Sequence, residues 1–144
     1  MTAGKIRLRQ SPIPLAGGEN LRGAELHAAA AGEVLRVIQP DMTKWGGFTG
    51  NLPVARAAVA RGKSFCPHVF GGGVALLASL HLLAAAGGNG LLEFDCHPNA
   101  GRELIVGPLL PVSDGHVPVP QGPGLGVTPD LAALARFRTW PPDG

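Results

Sequence analysis

The chain has 144 residues, the usual size of a single domain. Hydrophobic residues make up 45% of it, which is enough to bury a core and excludes a wholly disordered chain despite 22 glycines and 14 prolines. The net charge is only +2 and the basic residues are scattered along the chain, so no surface suited to nucleic acid is indicated.

The cysteine count and the apolar runs indicate the cellular compartment of the protein. Two cysteines, Cys66 and Cys96, are too few for a disulfide framework and favour a reducing compartment. The N-terminus lacks the apolar stretch of a signal peptide. The longest apolar run, Val74 to Ala86, has 13 residues and is too short to cross a bilayer. We therefore expect a cytoplasmic protein with neither nucleic acid nor membrane as a partner.

Short apolar segments alternate with helix-compatible segments along most of the chain. Strands are predicted, in chain order, at Ile13–Ala16, Val34–Gln39, Ser64–Cys66 and from Leu91 to Glu93. Helices are predicted between them at Leu21 to Gly32, Leu52 to Ala60 and Val74–Ala86, with a glycine-rich loop from Lys44 to Gly50 before the second helix. This alternation predicts an α/β fold with a parallel sheet.

The C-terminal part of the chain is rich in proline and glycine. Asp114-Gly115 predicts a hairpin between Leu109–Val112 and His116–Val119. A short helix is predicted over Leu131–Phe137, with Asp130 as its N-cap. We divide the chain into a lead-in of residues 1–12, an α/β unit of residues 13–107 and a tail of residues 108–144 that is expected to lie against another surface.

Four polar residues fall at the ends of the predicted strands. Glu19, Asp41, His68 and Glu93 each lie at or just after the C-terminal end of one strand, 22 to 27 residues apart. Functional groups of parallel α/β folds collect at that edge, so these side chains are expected to converge on one rim. Structural explanations also stay open: a helix cap for Glu19, a Pro-Asp turn for Asp41 and a hydrogen-bonded core histidine for His68. Lys44 is either a charge beside Asp41 or a solvated loop lysine.

A zinc site is a weaker alternative for the same region. Cys66, His68, Cys96 and His97 supply the ligand types of a Cys₂His₂ site, and the first two would share one face of a strand. Their spacing matches no usual pattern of a structural zinc site.

Six motifs of the chain carry a family resemblance. They are Pro14-Leu-Ala-Gly-Gly-Glu19-Asn20, Gln39-Pro-Asp41-Met-Thr-Lys44-Trp-Gly46-Gly47, Pro67-His68, the apolar helix with His81-Leu82, Leu92-Glu93, and Asp114-Gly115 followed by Pro123-Gly124-Leu125-Gly126. In order and spacing, over about residues 7–140, they resemble the mandelate racemase and muconate lactonizing enzyme group of the enolase superfamily.

The resemblance implies a fold and a larger protein. The fold would be the C-terminal part, about strands 5–8, of an enolase-superfamily (β/α) barrel, so that residues 13–107 form a half-barrel fragment followed by the hairpin tail. A complete barrel takes about 250 residues. Two more metal carboxylates and an N-terminal capping domain, on which the tail would pack, are expected outside this sequence. The chain would then be a homo-oligomer or would require a missing N-terminal half.

The resemblance also implies a chemistry. Glu19 would be one of three carboxylates that bind Mg²⁺, Asp41 and His68 would form an Asp–His dyad, and Glu93 would hydrogen-bond the substrate carboxylate as it becomes an enediolate. With His68 as general base, the reaction would remove the proton α to the carboxylate of a small acid sugar or hydroxy acid. A dehydratase is favoured, with a racemase or epimerase as the alternative. Alone, the chain is expected to be inactive, and a truncated non-catalytic remnant or half of a split barrel is the remaining alternative.

Overall fold

Residues 11–107 and 112–139 are described by the structure, a computed structural model of the chain. They form an α/β fold. Its strands are β1 (Ala16–Gly17), β2 (Val37–Ile38) and β3 (Ser64–Phe65). Its helices are α1 (Gly23–Ala31), α2 (Gly47–Val59), α3 (Gly73–Ala86), α4 (Ala100–Val106) and α5 (Leu131–Leu134), the last continued by a 3₁₀ turn over Ala135–Phe137.

The strands form one parallel sheet in the order β1-β2-β3. Val37 in the central strand pairs with Ala16 on one side and with Ser64 on the other. The pairing continues past the strand ends, where the His68 N–H donates to the Pro40 carbonyl at 3.1 Å. Because parallel strands run in one direction, the loops that follow them emerge at the same edge. The predicted α/β fold with a parallel sheet is confirmed.

Two clusters of buried side chains hold these elements together. The sheet cluster lies between the sheet and helices α1 to α3, and its largest fully buried members are Leu26, Ile38, Val54, Phe65 and Leu82. The α3–α4 cluster consists of Val69, Leu76, Leu77, Leu80 and Val106. Helix α3 contributes to both clusters, because it is apolar on nearly every side and is covered by α2 and α4.

Helix α2 begins five residues before its predicted start, so the segment Lys44–Gly50 is only partly a loop. The Asn51 side chain donates to the carbonyls of Trp45 and Gly47, at 2.7 and 2.9 Å, and fixes the first turn. A Cβ on Gly50 would lie 3.0 Å from the Trp45 indole. The glycine therefore lets the indole pack directly on the helix, a tertiary contact that overrides the low helix propensity of this segment.

The fourth predicted strand, from Leu91 to Glu93, does not form in the described residues. The Leu91 N–H donates to the Cys66 Sγ at 3.2 Å instead of to a strand carbonyl. Gly90 packs closely against the Phe65 carbonyl. A sulfur acceptor and a close backbone contact thus take the place of ladder hydrogen bonds, and the prediction of a fourth strand is wrong.

Helix α4 is an element that the sequence pattern did not predict. Asn99 is its N-cap, with Oδ1 accepting from the Arg102 N–H at 2.9 Å. Glu103 Oε1 in turn accepts from the Asn99 N–H at 3.3 Å. Asparagine after proline, followed closely by glutamate, is a helix-start signal that could have revealed it.

The described part of the tail contains the predicted turn and the predicted short helix. Ser113 and His116 form a β-bridge around Asp114-Gly115, both of which have positive φ, at 51° and 75°. Asp130 Oδ1 caps the last helix by accepting a backbone N–H at 2.9 Å. Residues 108–111, which include most of the first hairpin strand, lie outside the described residues.

The inner side of the tail packs on this chain's own helix α3. Val117, Val119, Leu125 and Val127 contact the α3–α4 cluster. The His81 Nε2 donates to the Leu125 carbonyl at 3.2 Å, and the Leu125 side chain also contacts the sheet cluster. The surface that this part of the tail covers therefore belongs to the same chain.

Replacing Lys63 by alanine is expected to lower the free energy of unfolding by about 1 to 3 kcal/mol. The Lys63 ammonium, only 5% exposed, donates to the Ala29 carbonyl at 3.2 Å and to the Gly32 carbonyl at the C-terminal end of α1. Burial lowers the pKa of Lys63, because it disfavours the charged ammonium. The alanine variant is still expected to be less stable, because the two carbonyls would lose their hydrogen-bond donor. Urea denaturation would measure the loss.

The matched control for this prediction is Arg61→Ala. Arg61 also donates to a helix carbonyl, that of Ala57 at 3.2 Å, but on the exposed surface. Its loss is expected to change stability by less than about 0.5 kcal/mol. Equal effects of the two variants would show that the buried ammonium does not stabilise the end of α1.

Candidate functional site

Three of the four predicted site residues meet at the C-terminal edge of the sheet. Glu19 follows β1, Asp41 follows β2 and His68 follows β3. The His68 Nε2 lies 2.7 Å from Glu19 Oε2, and its Nδ1 lies 3.0 Å from Asp41 Oδ2. The imidazole is therefore held between two carboxylates that are distant in sequence.

Asp41 is the most rigidly held member of this group. Its side chain is 7% exposed, and Oδ1 accepts from the Thr43 N–H at 2.8 Å and from the Thr43 hydroxyl at 2.6 Å. Burial raises the pKa of Asp41, but the hydrogen bonds from Thr43 and His68 outweigh it and hold the pKa below its usual value. Asp41 Oδ1 thus closes the turn at Thr43, and Oδ2 contacts the His68 imidazole. Asp41 can therefore be a turn residue and a partner of His68 at the same time.

Lys44 lies at the edge of the same cluster. Its Nζ donates to Asn20 Oδ1 at 3.2 Å and lies 3.8 Å from Glu19 Oε2 and 3.7 Å from Asp41 Oδ2. Of the two alternatives for Lys44, the structure therefore supports a charge beside Asp41. The ammonium offsets part of the repulsion between two neighbouring carboxylates.

Two residues of the cluster were missed from the sequence. Thr43 carries a signal that could have found it, since a hydroxyl residue two positions after an aspartate often closes an Asx turn. Asn20 donates to Glu19 Oε1 at 3.1 Å and accepts from Lys44. It carries no comparable signal, because its role depends on a contact 24 residues away along the chain.

Glu93 lies beside the cluster and does not pair with it directly. Its Oε2 accepts from the Val69 N–H at 3.4 Å, so it is held against the residue that follows His68. Glu93 also lines an open hollow of about 410 Å³ on one face of the sheet, together with Gln39, Cys66 and Leu92. A carboxyl group beside a hollow of this size can contact a small ligand.

Glu19 alone does not make a magnesium site. Its carboxylate, with the side chain 45% exposed, is the oxygen ligand that Mg²⁺ prefers. In the described residues, however, no group of three or more His, Cys, Asp or Glu side chains is arranged to hold a metal ion. The described part of the chain therefore offers one suitable ligand and leaves the rest of a site to be supplied.

The zinc alternative is wrong for the same reason. Cys66 is buried and its sulfur accepts the Leu91 N–H, while Cys96 is exposed. The His97 side chain is 83% exposed, and its Nδ1 pairs with Asp95 at 2.8 Å. These side chains have other partners or face solvent and do not converge on a metal.

Replacing Asp41 by asparagine is expected to remove an acid-sensitive part of the stability. The pKa of Asp41 lies below its value of about 3.9 in an unfolded chain. Its contribution is therefore present above that pH and is lost as the pH falls through the folded pKa. Urea midpoints from about pH 3 to pH 7 should decline in acid for the natural chain and less steeply for the variant.

Asp114→Asn is the control for this pH dependence. Asp114 is exposed in the turn of the tail, and asparagine tolerates its positive φ. The control should follow the natural chain at every pH. An unchanged slope in Asp41→Asn would contradict the idea that the native contacts of Asp41 favour its charged form.

The parallel α/β unit carries its Asp–His pair and Glu19 after the C-terminal ends of its strands, the edge at which (β/α)-barrel enzymes carry their functional residues. The chain belongs to the enolase C-terminal domain-like family, whose model matches residues 2–133, and within it to the mandelate racemase/muconate lactonizing enzyme group of the enolase superfamily. The resemblance inferred from the motifs is confirmed.

Two solved structures show the likeness in three dimensions. A mandelate racemase/muconate lactonizing enzyme from Bordetella bronchiseptica is 50% identical, with a TM-score of 0.79 over 90% of this chain and 37% of that one. A protein of the same description from Jannaschia sp. is 30% identical, with a TM-score of 0.75 over 92% of this chain and 34% of that one.

Relatives of known activity are similar along most of the chain. A D-galactarolactone cycloisomerase from Agrobacterium fabrum is 36% identical over 93% of this chain and 38% of its own length. A D-galactonate dehydratase from Xanthomonas euvesicatoria is 33% identical over 91% and 36%, and an arabinonate dehydratase from Saccharolobus solfataricus is 29% identical over 81% and 31%. The chain thus spans 31% to 38% of the length of these relatives.

One further finding concerns membranes. Within residues 11–107 and 112–139, no helix combines the length and the apolar character needed to cross a bilayer.

Proposed function

We propose that the chain is the part of a mandelate racemase-like enzyme that carries its Asp–His base. The complete enzyme would remove the proton α to the carboxylate of an acid sugar and release water, acting as a dehydratase. The contact between Asp41 and His68 carries this proposal, because a carboxylate at Nδ1 orients an imidazole whose Nε2 can then exchange a proton.

His68 would be the general base and Asp41 its orienting partner. Its Nδ1 lies 3.0 Å from Asp41 Oδ2, and its Nε2 lies 2.7 Å from Glu19 Oε2. To take a proton from a substrate, Nε2 must be unprotonated and free of its contact with Glu19, because a ring nitrogen that carries a proton can only donate. Glu19 controls access to the base in this arrangement.

Glu19 and Glu93 would act on the substrate carboxylate, whereas His68 acts on the α-proton. We propose Mg²⁺ as the cofactor of the complete enzyme, with Glu19 as its ligand from the described part of this chain, because the ion would neutralise charge that develops on the substrate carboxylate. Glu93, beside the open hollow, would hydrogen-bond the same carboxylate. The substrate would thus lie between the loop after β1 and the segment that carries Glu93.

Dehydration is favoured over racemisation or epimerisation by the relatives. The names of the D-galactonate and arabinonate enzymes describe loss of water from acid sugars. A racemase or epimerase of the same group remains the second candidate, because the two solved structures are described as mandelate racemase/muconate lactonizing enzymes and because an Asp–His pair can also return a proton to carbon.

A chimera tests the proposal. This chain would replace the matching segment of the Bordetella bronchiseptica protein, which is 50% identical, and the product would be incubated with Mg²⁺ and a panel of acid sugars in deuterated water. A dehydratase gives a 2-keto-3-deoxy acid with deuterium at the new C–H bond, whereas a racemase or epimerase gives an α-deuterated acid that keeps all its hydroxyl groups. A folded chimera that neither releases water from any member of the panel nor exchanges its α-proton would contradict the proposed function.

The non-catalytic alternative rests on the open sheet face. Val37, Leu91 and Leu92 line the hollow beside Glu93, and Leu91 is 73% exposed. Such an apolar face favours association with another half-barrel or with further copies of the chain. We expect no turnover by the 144-residue chain alone. Turnover without a partner would contradict this expectation.

A further inference from the structure

The segment that carries Glu93 is held differently from the other site segments. Glu19, Asp41 and His68 each follow a strand of the sheet, whereas Glu93 lies in an irregular segment without ladder hydrogen bonds. Upstream, Leu91 is tied to Cys66 by one hydrogen bond to sulfur, which is a weak acceptor. Leu92 packs on the α3–α4 cluster, and the remaining contacts of the segment lie downstream of Glu93.

Arg102 supplies those contacts. Its guanidinium, with the residue only 7% exposed, donates from Nη2 to the His97 carbonyl at 2.8 Å. Its Nη1 lies 3.4 Å from Asp95 Oδ2, and its Cζ lies 5.6 Å from the centroid of the Phe94 ring. One buried side chain thus holds three of the four residues that follow Glu93.

The charge of Arg102 makes this arrangement specific. A buried guanidinium is costly unless it is paired and hydrogen-bonded, so it favours the one conformation of the segment that provides its partners. The planar guanidinium donates from Nη2 to a carbonyl, while Nη1 pairs with a carboxylate by charge without a hydrogen bond, and the face of the group lies over an aromatic ring. Lysine has none of this geometry.

Helix α4 anchors Arg102 close to the loop that follows His68. Asn99, the N-cap of α4, accepts the Arg102 N–H and donates to the Gly71 carbonyl at 3.4 Å. A Cβ on Gly73 would lie 2.9 Å from the Arg102 carbonyl oxygen, so α3 and α4 touch at this glycine. Arg102 is therefore fixed to the same loop that presents the Val69 N–H to Glu93.

We propose that Arg102 is a positioning residue that holds the Glu93 carboxyl against the Val69 N–H. The importance of this for catalysis rests on the function proposed above for Glu93. The positioning itself does not rest on that function and can be measured without turnover.

Amide hydrogen exchange in the 144-residue chain tests the proposal, with the Val69 amide as the reporter. In Arg102→Met, Val69 exchange should become about tenfold faster, the effect of losing about one hydrogen bond, while the amides of Ile38 and Phe65 keep their rates. Arg136→Met is the matched control, since Arg136 also stacks on a neighbouring ring, that of Phe137 at 4.8 Å, but is exposed in the tail. It should leave Val69 unchanged.

A second background shows whether Arg102 acts through Glu93. In a Glu93→Ala chain the Val69 hydrogen bond is already absent, so Arg102→Met should add no further acceleration. An equal acceleration with and without Glu93, or none in either, would overturn the proposal. If the methionine variant loses its fold, the same pair of measurements is made with Arg102→Lys, which keeps the charge but not the fork.

The exchange experiment and the chimera fail independently. Suppose that Arg102→Met accelerates Val69 exchange only when Glu93 is present, but that the chimera neither releases water nor exchanges an α-proton. The proposed function would then be contradicted, and the positioning role would stand. An active chimera without that effect of Glu93 on Val69 exchange would contradict the positioning role and support the proposed function.

Discussion

Replacing His68 by asparagine in the chimera is expected to lower the rate of α-proton removal, followed as deuterium exchanged into product or substrate, by about 10² to 10⁴, the usual contribution of a positioned general base. Asparagine keeps a polar group at the position and can still donate toward one carboxylate, but it cannot accept and release a proton near neutral pH. The loss should therefore appear in kcat, with a much smaller change in KM. Deuterium incorporation measured by NMR gives the exchange rate directly.

His116→Asn is the matched control for this variant. His116 is exposed in the turn of the tail, where its Nδ1 contacts the Asp114 carbonyl at 2.8 Å. Its replacement should leave the exchange rate unchanged. If His68→Asn retained the rate of the unmodified chimera, His68 would not be the base, and the contact with Asp41 would be structural only.

Replacing Gly90 by alanine is expected to lower the free energy of unfolding by about 3 kcal/mol, near the upper end for added atoms in a packed site. The new Cβ would lie 2.8 Å from the carbonyl carbon of Phe65 and closer still to its oxygen. Backbone cannot turn away as a flexible side chain can, so the segment around Gly90 must separate from β3. The Leu91 hydrogen bond to Cys66 would be lost with it.

Gly101→Ala separates this clash from the general effect of adding a methyl group. A Cβ on Gly101 would meet only Asn99 Oδ1, at an ordinary 3.5 Å, and Gly101 lies inside helix α4. The control should be neutral or stabilising by about 0.5 to 1 kcal/mol, because alanine favours helix over glycine. Urea denaturation compares the two. Similar stabilities of the two variants would mean that the segment around Gly90 can shift away from β3 at little cost in free energy.

The convergence of Glu19, Asp41 and His68 could be predicted because it depends only on strand direction. Each residue follows a short apolar run, and the loops after parallel strands meet at one edge whatever the details of packing. The family resemblance implies the pairing of His68 with Asp41, but neither the strand pattern nor the resemblance predicts the contact of His68 with Glu19. The alternation of strands and helices in the sequence was therefore enough to predict that these three side chains meet.

The placement of Glu93 depends on contacts that local pattern does not contain. The run at Leu91 reads as a strand, but a sulfur from Cys66 takes the N–H that a ladder would use. Arg102 then fixes the following residues from a helix that begins nine positions after Leu91. Apolar periodicity records which residues are buried, and it does not record which acceptor each N–H finds.

The start of helix α2 was misjudged for a related reason. Glycines around residue 47 favour a loop by intrinsic propensity, at a cost of about 1 kcal/mol each in a helix. The Asn51 side chain and the Trp45 indole offset that cost by binding the first turn. Such compensation becomes visible only when the neighbours are known in space.

Leu125 gives the tail a thermodynamic role. Its side chain contacts both the sheet cluster and the α3–α4 cluster, and its carbonyl accepts from His81. A residue shared by two clusters couples their unfolding, so heat should melt the chain in a single cooperative transition. Cleavage between Pro120 and Leu125 would lower the temperature of that transition, because helix α3 would then be the main link between the two clusters.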